Sequence, residues 1–440
     1  MVTASLGKAI PRFSPNTPGH RVDSLYFQNP TRTFLEPYRT HGPIFSCHFF
    51  GGEQIALGGA EANRHVWGDP ELWDYYKSNR IFREQFSDRY LNQLEGETYL
   101  MKRRRINQGF KPSMLLSHAS SMSEVVFREI EKLKGEPTDF RLFCMSLVIS
   151  MVSQVLLQED LPEGMDRTMA LSNQEMLKAS SMGWKRWLWY WYPPKRAKRN
   201  TIFKYLGDVI DRREKEGVDR DDILSLILAA HPKDQPPIPR YELVHDLSQL
   251  FMGGSTTSSM IIGWGLIEPL RHPEWLTDLR NELEGWDPDN FDSMKNFPKL
   301  RATCLEIERL RPGVPVFPRF AKKDFEWNGF KIEKGQSVLH LHTLCHFLEE
   351  HYDDPLVFNP QRFIDNPDLP GRDIHGTYGG GQHKCVGLNL ARIAPPLAVA
   401  NILSRYDLEF SPEPSGKERY LSVTAPREDL KVRFVPRKQS

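Results

Sequence analysis

The stretch YGGGQHKCVG, residues 378–387, places one thiol among glycines and two basic side chains. A free cysteine that only fills a core behaves as a small hydrophobe and is expected among Leu, Val and Phe. Glycines leave backbone N–H groups unobstructed, and such donors, together with positive charge from His383 and Lys384, stabilise a thiolate over a thiol. The stretch therefore favours an activated sulfur at Cys385, which would serve as a nucleophile or as a metal ligand.

The residues that follow, LNLARIAPPLAVANIL (388–403), have helical character, so the thiol is expected just before a helix N-terminus, where the dipole also favours an anion. A nucleophile would further need a histidine base and an orienting acid, whose positions in space the sequence does not give. On this stretch alone, a glycine-rich turn that happens to contain cysteine remains an alternative.

Composition excludes several classes of protein. With 440 residues, 39% of them hydrophobic and 26% charged, and a net charge of +1, the chain is expected to be globular and not to bind nucleic acid. The opening stretch has no apolar run long enough for a signal peptide or membrane anchor, and no later segment approaches the ~18 uncharged apolar residues of a membrane span, so a soluble, cytoplasmic protein is predicted. The cysteines are scattered, without a C-x-x-C pair, which fits a reducing compartment: Cys47, Cys144, Cys304, Cys345 and Cys385.

Periodicity predicts one mainly α-helical domain over residues 1–440 with a small β region, its first 25 residues forming a loosely ordered segment. Strand patterns occupy residues 42–59 and 325–342. Helical patterns, bounded by Pro, Gly or Asp/Asn-rich loops, are clearest over five ranges: 118–134, 138–158, 200–215, 240–270 and 298–310.

Two further stretches carry charged residues that alone would be commonplace. In CLEIERLRPGVP (304–315), Glu306 and Arg309 stand three residues apart on one helix face and can pair. Most such pairs are solvated and contribute only a few tenths of a kcal/mol. In VFNPQRFI (357–364), Arg362 follows a rigid proline, yet loop arginines are mostly exposed.

The stretch DLSQLFMGGSTTSSMIIGW (246–264) interrupts the longest helical pattern with small residues. Gly253 and Gly254 each cost about 1 kcal/mol relative to Ala inside a helix. Hydroxyl side chains that follow them can bond their own backbone and loosen the helix. Either the helix opens where a small ligand or water approaches, or small residues allow close helix packing.

In order and spacing, these pieces resemble the cytochrome P-450 family of haem-thiolate monooxygenases. The family's haem loop, F-x-x-G-x-R/H-x-C-x-G, is similar to Tyr378, Gly381, His383, Cys385 and Gly387. The segment GETYLMKRRRINQGF (96–110) is similar to the family stretch G-x-x-H-x-x-x-R-R. The likeness extends from about residue 30 to 430.

The resemblance implies a single triangular domain, mostly α, that binds haem b. It implies that Cys385 is the axial thiolate ligand of the iron. Glu306, Arg309 and Arg362 would form a buried network on the proximal side. The remaining cofactor contacts that it implies fall into propionate-binding side chains and residues of the haem loop: Tyr99, Arg103, Arg319 and His383 in the first group, and Tyr378, Gly379, Gly381 and Gly387 in the second.

The resemblance also places a catalytic motif in the long helix. Family members carry A-G-x-D/E-T, whose acid and threonine relay protons during oxygen activation. Matching this motif to residues 252–256 puts Thr256 on the threonine and Ser255 in place of the acid, with Gly253 and Gly254 forming a groove for water. Serine relays a proton but cannot store one near neutral pH.

The function implied is insertion of one oxygen atom from O2 into an apolar small molecule of polyketide, terpenoid or fatty acyl type, in secondary metabolism. Because Ser255 replaces the acid, a peroxide-using, coupling, dehydrating or rearranging enzyme is the alternative, and a haem-based sensor or carrier ranks third. Electrons would come from NAD(P)H through a separate ferredoxin or flavodoxin and its reductase. Its docking surface is expected at four cations: Lys102, Arg104, Arg105 and Lys384.

Two other features remain open. Residues 184–199, rich in Trp, Tyr, Lys and Arg, are predicted to line a substrate entrance, with peripheral membrane contact or simple packing as alternatives. His340, His342 and Cys345 would share a zinc site only if a fourth ligand joined them, so ordinary sheet residues are the preferred interpretation.

Overall fold

The computed structural model describes residues 8–180, 185–217, 220–231, 237–288, 296–421 and 423–437. It is 56% helical with a small β portion, which confirms the predicted fold class. Its helices, in chain order, are α1 Asp23–Gln28, α2 Leu35–His41, α3 Ala60–Gly68, α4 Tyr75–Ser78, α5 Arg80–Gln85, α6 Gly96–Asn107, α7 Pro112–Leu116, α8 Ala119–Glu131, α9 Phe140–Leu156, α10 Met165–Ser180, α11 Arg186–Trp191, α12 Pro193–Glu216, α13 Ile223–Ala229, α14 Arg240–Arg271, α15 Pro273–Glu282, α16 Pro298–Leu310, α17 Arg362–Asp365, α18 Leu388–Ala391 and α19 Ala394–Arg405.

The strands form one four-stranded sheet and smaller pairings. The larger sheet has the order β1-β2-β7-β4, in which only β2 and β7 are parallel. The chain must therefore cross most of the helical region between β2 and β7. The strands are β1 Ile44–Phe49, β2 Gly52–Gly58, β3 Thr138–Asp139, β4 Phe317–Phe320, β5 Phe325–Trp327, β6 Phe330–Ile332, β7 Ser337–Leu341, β8 Tyr406–Ser411, β9 Glu418–Tyr420, β10 Thr424–Pro426 and β11 Lys431–Pro436.

Helices α9 and α14 form the centre of the main core. The sequence of α9, FRLFCMSLVISMVSQVL, is apolar around most of its circumference, which is typical of a helix enclosed by others. Asp139 caps its first turn by accepting a hydrogen bond from the backbone N–H of Leu142 at 2.7 Å. The helix packs against α14, α8 and α10, so one face of α14 is held firmly against a rigid neighbour.

The N-terminal segment is better packed than its polar sequence predicts. The backbone N–H of Phe13 donates to Ser46 O at 2.8 Å, and that of Val22 donates to His48 O at 3.0 Å. The Val22 side chain is fully buried. The expectation of loose order is therefore corrected for residues 8–25, since these backbone groups pair with β1, while residues 1–7 lie outside the described residues.

Proline decides two helix boundaries that periodicity misplaces. The predicted helix over residues 388–403 is two helices, α18 and α19, and the second begins with Pro395 and Pro396 in its first turn. Pro193 and Pro194 likewise begin α12 seven residues before the predicted start. Proline lacks a backbone N–H and has a fixed φ, so it suits the first turn of a helix and not its interior.

Candidate haem site

A cavity lies between α14 and the loop that carries Cys385. Its volume is about 280 Å³, close to the lower end of the ~300–1,000 Å³ of an ordinary small-ligand pocket. Gly253 and Thr257 of α14 lie in one wall, and Cys385 and Gly387 lie in another. Apolar side chains dominate the rest of the lining, among them Phe110, Val152, Leu156, Leu250, Ile261 and Phe317. The cavity therefore places the thiol of Cys385 and the glycine-containing face of α14 around one common space.

The cysteine loop is fixed by hydrogen bonding and by close packing. The backbone N–H of Cys385 donates to Tyr378 O at 2.9 Å, which closes the loop on itself. Gly381 has a φ of +61°, and a Cβ added to it would lie 2.2 Å from the backbone O of Trp67. The residue predicted for close approach to haem, Gly381, thus packs against α3 instead, whereas Gly379 and Gly387 do line the cavity.

Cys385 differs from the other cysteines in its surroundings. It is exposed, whereas the other four thiols are buried, and its exposed surface lies in the cavity wall. Enclosure by the protein raises the pKa of Cys385, while the backbone N–H of Gly387 and the charges of Arg103 and Lys384 lower it. Although the sulfur is exposed to the cavity, its removal from bulk water prevails and keeps the pKa of Cys385 raised, so the chain alone does not favour the free thiolate that the sequence predicts. A thiolate there requires a positive partner such as a metal ion.

Arg319 is a half-buried cation that pairs with no anion among the described residues. Its Nε is buried and has no hydrogen-bond partner among the described residues, and its Nη1 donates only to Pro318 O at 2.9 Å. Its guanidinium carbon lies 5.3 Å from the ring centroids of Tyr75 and Phe317. Burial lowers the pKa of Arg319. Because a partly buried guanidinium with an unpartnered Nε gains from a nearby anion, this side of the cavity favours an anionic group.

His383 lies between two tyrosine rings beside the same part of the cavity. Its ring centroid is 3.8 Å from that of Tyr75 and 4.1 Å from that of Tyr99. Burial, and then the charges of Arg319 and Arg103, lower the pKa of His383 to about 3. The prediction that His383 adds positive charge beside Cys385 is therefore wrong for the chain by itself, because a histidine with so low a pKa is neutral. Its Nδ1 is buried without a partner and is available to a ligand.

Tyr99 and Arg103 support the loop from behind. The Tyr99 hydroxyl donates to Gln382 O at 2.6 Å, and neither Tyr99 nor Arg103 is among the residues that line the cavity. Burial raises the pKa of Tyr99, and the charge of Arg103 opposes this. In the structure Tyr99 thus orders the cysteine loop, a contact that the sequence interpretation did not foresee.

The structure brings Glu306, Arg309 and Arg362 together in the interior. Arg309 donates from Nε and Nη2 to the two carboxylate oxygens of Glu306 at 2.7 and 2.8 Å, and both side chains are fully buried. Arg309 Nη1 also donates to His346 O and Pro355 O at 2.7 and 2.6 Å. Arg362 Nε lies 3.5 Å from Glu306 Oε1. The alternative of a solvated surface pair is thus excluded.

The structure corrects the catalytic motif of α14 by one residue. Ser255 is fully buried, and its Oγ accepts a hydrogen bond from Asn173 Nδ2 at 3.1 Å, away from the cavity. Thr256 is also buried, and its Oγ1 donates to Met252 O at 2.9 Å. Neither residue lines the cavity, whereas Thr257 does. Matched one residue later, the family motif places its threonine on Thr257 and Thr256 in place of the acid.

The long helix does not open at its glycines. All residues of Arg240–Arg271 are helical, so of the two alternatives for this stretch the structure excludes the opened helix and favours close packing through small residues. The Thr257 hydroxyl donates to Gly253 O at 2.8 Å, one turn back. A Cβ added to Gly253 would meet nothing within 4 Å, while one added to Gly254 would lie 3.4 Å from Val152. Gly253 thus leaves space beside the cavity, and Gly254 allows close packing on α9.

Glu308 is a site residue that the sequence interpretation missed. It lines the cavity at 2% exposure, and its Oε1 accepts a hydrogen bond from the Tyr378 hydroxyl at 2.7 Å. His375 Nε2 lies 3.5 Å from its Oε2. The signal in the sequence was a second acid inside the E-x-x-R stretch, together with Tyr in place of the family's Phe. Each residue gives the other a partner in the interior.

The structure does not support Lys102 as part of a docking surface, nor a zinc site at His340, His342 and Cys345. Lys102 is 5% exposed and pairs with Glu242 and Asp246 at 3.1 and 2.6 Å, so it cannot belong to a docking surface. No cluster of three metal-ligating side chains occurs among the residues that the structure describes, so the zinc alternative finds no support there. His340 Nε2 instead hydrogen-bonds to Asn63 Oδ1 at 2.7 Å.

Comparison with known proteins agrees with this geometry. A family model described as Cytochrome P450 matches residues 19–434. The chain belongs to the cytochrome P450 family. This P450 is an oxidoreductase of the monooxygenase type. The family implies iron held in haem by a cysteine thiolate, and Cys385 is the cavity-facing cysteine of the described residues.

Individual P450s resemble this one at low identity. Cytochrome P450 736A117 of Prunus mume is 28% identical over 52% of this chain and 48% of that protein, so the match spans about half of that relative's length. The putative cytochrome P450 136 of Mycobacterium tuberculosis is 24% identical over 95% of this chain and 87% of that protein. The solved structure of retinoic acid bound cyanobacterial CYP120A1 has a TM-score of 0.82 at 21% identity, covering 94% and 96% of the two chains.

The residues of the cavity fit a haem group. Cys385 offers a sulfur on one wall, Gly253 leaves open space on another, and the lining between them is largely apolar. Arg319 and His383 offer buried, unpartnered nitrogen atoms that a propionate carboxylate would satisfy.

Proposed function

We propose that this P450 uses haem b to insert one oxygen atom from O2 into an apolar small molecule, of polyketide, terpenoid or fatty acyl type, in the biosynthesis of a secondary metabolite. The observation that carries the proposal is a mostly apolar cavity with a single exposed thiol in its wall. Haem bound through a thiolate supplies the oxygen-activating chemistry, in which the second oxygen atom leaves as water.

The roles of the chain's own residues follow from their positions. Cys385 would hold the iron, and Arg319 and His383 would hold the propionates. Thr257 has a hydroxyl in the cavity wall that already donates to Gly253 O, so it can pass a proton between water and the reacting oxygen. The apolar lining would bind the substrate and exclude bulk water.

Electrons are proposed to come from NAD(P)H through a separate ferredoxin or flavodoxin and its reductase. Support comes from charge on the chain: with Lys102 buried, exposed Arg104 and Lys384 remain as cations for an acidic partner. Arg105 is only 15% exposed at its side chain and lies 3.8 Å from Glu242, so its contribution is smaller.

The identity of the iron ligand is tested by spectroscopy. We expect the purified protein to contain haem b and its reduced, carbon monoxide-bound form to show the strongly red-shifted Soret band of thiolate ligation. Replacing Cys385 by Ala should abolish that band, while Cys345→Ala, which removes a buried thiol, should retain it. A red-shifted band that persists in Cys385→Ala would contradict the site.

A peroxide-using enzyme is a second candidate, favoured by one observation. Helix α14 carries no Asp or Glu between Asp246 and Glu268, so its part of the cavity wall supplies no carboxylate for proton delivery. Turnover with hydrogen peroxide that exceeds turnover with NAD(P)H and surrogate ferredoxin and flavodoxin partners would favour this candidate. The reverse result would favour the monooxygenase.

A further inference from the structure

The side-chain amide of Gln249 lies in the cavity wall and has no hydrogen-bond partner among the described residues. It lies on α14 one turn before Gly253, lines the cavity and is 8% exposed. Its amide makes no hydrogen bond with any residue that the structure describes. A buried amide can donate two hydrogen bonds and accept two, so this side chain has unused capacity in a largely apolar surrounding.

Two other buried amides, in contrast, donate hydrogen bonds to protein carbonyl groups. Asn79 Nδ2 donates to Tyr75 O and Asn92 O at 2.9 and 3.0 Å. Gln93, at 2% exposure, donates from Nε2 to Ser87 O at 2.9 Å, while its Oε1 is buried without a partner among the described residues. Gln249 differs from both because its amide donates to no described protein group and faces the space in which a substrate would bind.

The energetics favour a ligand as the missing partner. A buried polar group without a hydrogen bond costs about 1–3 kcal/mol, and an apolar residue of similar size would avoid that cost. Water can satisfy the amide while the cavity is empty of substrate, but an apolar substrate would displace that water and offer nothing in return. A substrate with its own hydroxyl or carbonyl group would restore the hydrogen bond.

We propose that Gln249 is a specificity-determining residue that hydrogen-bonds a hydroxyl or carbonyl group on an otherwise apolar substrate. The inference deepens the proposed monooxygenase function and rests on it. Gln249 stands about 6 Å along the helix axis from Gly253, whose carbonyl accepts the Thr257 hydroxyl. The polar group of the substrate is therefore held away from the reacting carbon, and oxygen is inserted at a distance from the existing functional group.

Imidazoles with an alkyl tail test the proposal without knowledge of the natural substrate, because the imidazole binds haem iron and the tail extends into the cavity. Pairs of increasing tail length, ending in a hydroxyl or in a methyl group, are titrated by the Soret shift. At the tail length that reaches Gln249, the hydroxyl ligand should bind wild-type protein about tenfold more tightly than its methyl partner. Gln249→Leu should erase that preference, and Gln93→Leu should keep it.

Thermal unfolding of the ligand-free protein gives an independent readout. Gln249→Leu should leave the melting temperature unchanged or raise it, since only water pairs with this amide in the ligand-free protein, whereas Gln93→Leu should lower it by breaking a hydrogen bond to the protein. Equal hydroxyl preference in wild type and Gln249→Leu at every tail length would overturn the inference, as would destabilisation by Gln249→Leu. A protein that takes up no haem, or shows no Soret shift with any imidazole, would instead contradict the proposed function.

Discussion

Thr256 and Thr257 are neighbours in the sequence, yet a rotation of about 100° per residue around the helix axis sends them to different surroundings. The Thr256 hydroxyl is buried and donates a hydrogen bond to Met252 O, whereas Thr257 lies in the cavity wall. The family motif can be matched to the sequence with its threonine at either of these two positions, and the sequence does not distinguish them. The helix does, because only the Thr257 side chain faces the cavity.

Replacing the two threonines separately should distinguish their roles. Thr257→Ala removes the only hydroxyl of the pair that reaches the cavity, so we expect product formed per NAD(P)H consumed to fall about tenfold or more, with the lost electrons recovered as hydrogen peroxide. Thr256→Ala should leave this coupling ratio close to wild type. Equal losses in both variants would contradict the assignment of the relay to Thr257.

Removing Glu306 should leave Arg309 as an unpaired charge in the interior. We expect Glu306→Ala to lower the free energy of unfolding by about 3–5 kcal/mol and to reduce haem retention. Lys204→Ala is the matched control, since its pair with Asp208 lies four residues away on a helix and is 77% and 54% exposed. That variant should cost less than about 0.5 kcal/mol in urea unfolding. Similar costs for both variants would contradict a structural role for the buried network.

At the scale of elements, β7 and the turn after it carry histidines that are buried and neutral. His342 is 2% exposed, and burial lowers its pKa to about 4, with a further lowering by Arg319 and an opposing hydrogen bond to His340 O. His340 is buried beside it, and burial and the neighbouring His342 likewise hold its pKa well below the usual range. The strand therefore tolerates these side chains only without their protons.

This burial predicts a loss of stability in mild acid. In the unfolded chain the pKa of His342 is near its usual value of about 6.5, so below that pH the unfolded state binds a proton that the folded state refuses. The contribution of His342 to stability is therefore full above about pH 6.5 and decreases by about 1.4 kcal/mol per pH unit as the pH falls toward 4. Urea unfolding of haem-free His342→Gln should show a shallower decrease over this interval.

The control for that measurement is the exposed His20, whose replacement by Gln should leave the slope unchanged. An unaltered slope in His342→Gln would show that other groups govern the acid sensitivity of the fold.

At the scale of the whole molecule, α11 and the start of α12 present apolar side chains to solvent. Trp187, Leu188, Trp191 and Tyr192 are 44%, 68%, 66% and 54% exposed. Residues 176–207 contain Lys and Arg but no Asp or Glu. Some of these cations are paired, as Arg186 is with Glu84. Trp184, predicted to belong to this surface, lies outside the described residues. No helix among the described residues is long and apolar enough to cross a membrane.

We expect this surface to bind anionic lipid peripherally. Protein mixed with vesicles of phosphatidylcholine and phosphatidylglycerol should co-sediment at low salt, and vesicles of phosphatidylcholine alone should bind it less. Replacing Trp187, Leu188 and Trp191 together by Ser should weaken binding at least about tenfold, because their apolar area no longer inserts. Val357→Ser, at an exposed apolar site elsewhere, should have no effect. Equal binding by all variants would leave the substrate entrance as the preferred interpretation of this segment.

The sequence by itself determined the fold class, the family and which cysteine is the candidate iron ligand, because each depends on residue types at fixed spacings along the chain. Helical and strand periodicities carry the element types. The order of the Thr helix, E-x-x-R, the arginine loop and the glycine-rich cysteine loop carries the family. Cys385 stood out because no other cysteine has such neighbours.

The tertiary structure alone decided which side chains share the cavity and in what state. In the folded chain Arg319 has no anionic partner among the described residues, and burial keeps His383 neutral. Lys102 pairs with two acids of α14. The side of α14 that faces the cavity selected Thr257 and Gln249. The physical reason is that solvation, hydrogen-bond partners and facing direction are set by residues distant in the chain, and local sequence patterns carry no record of them.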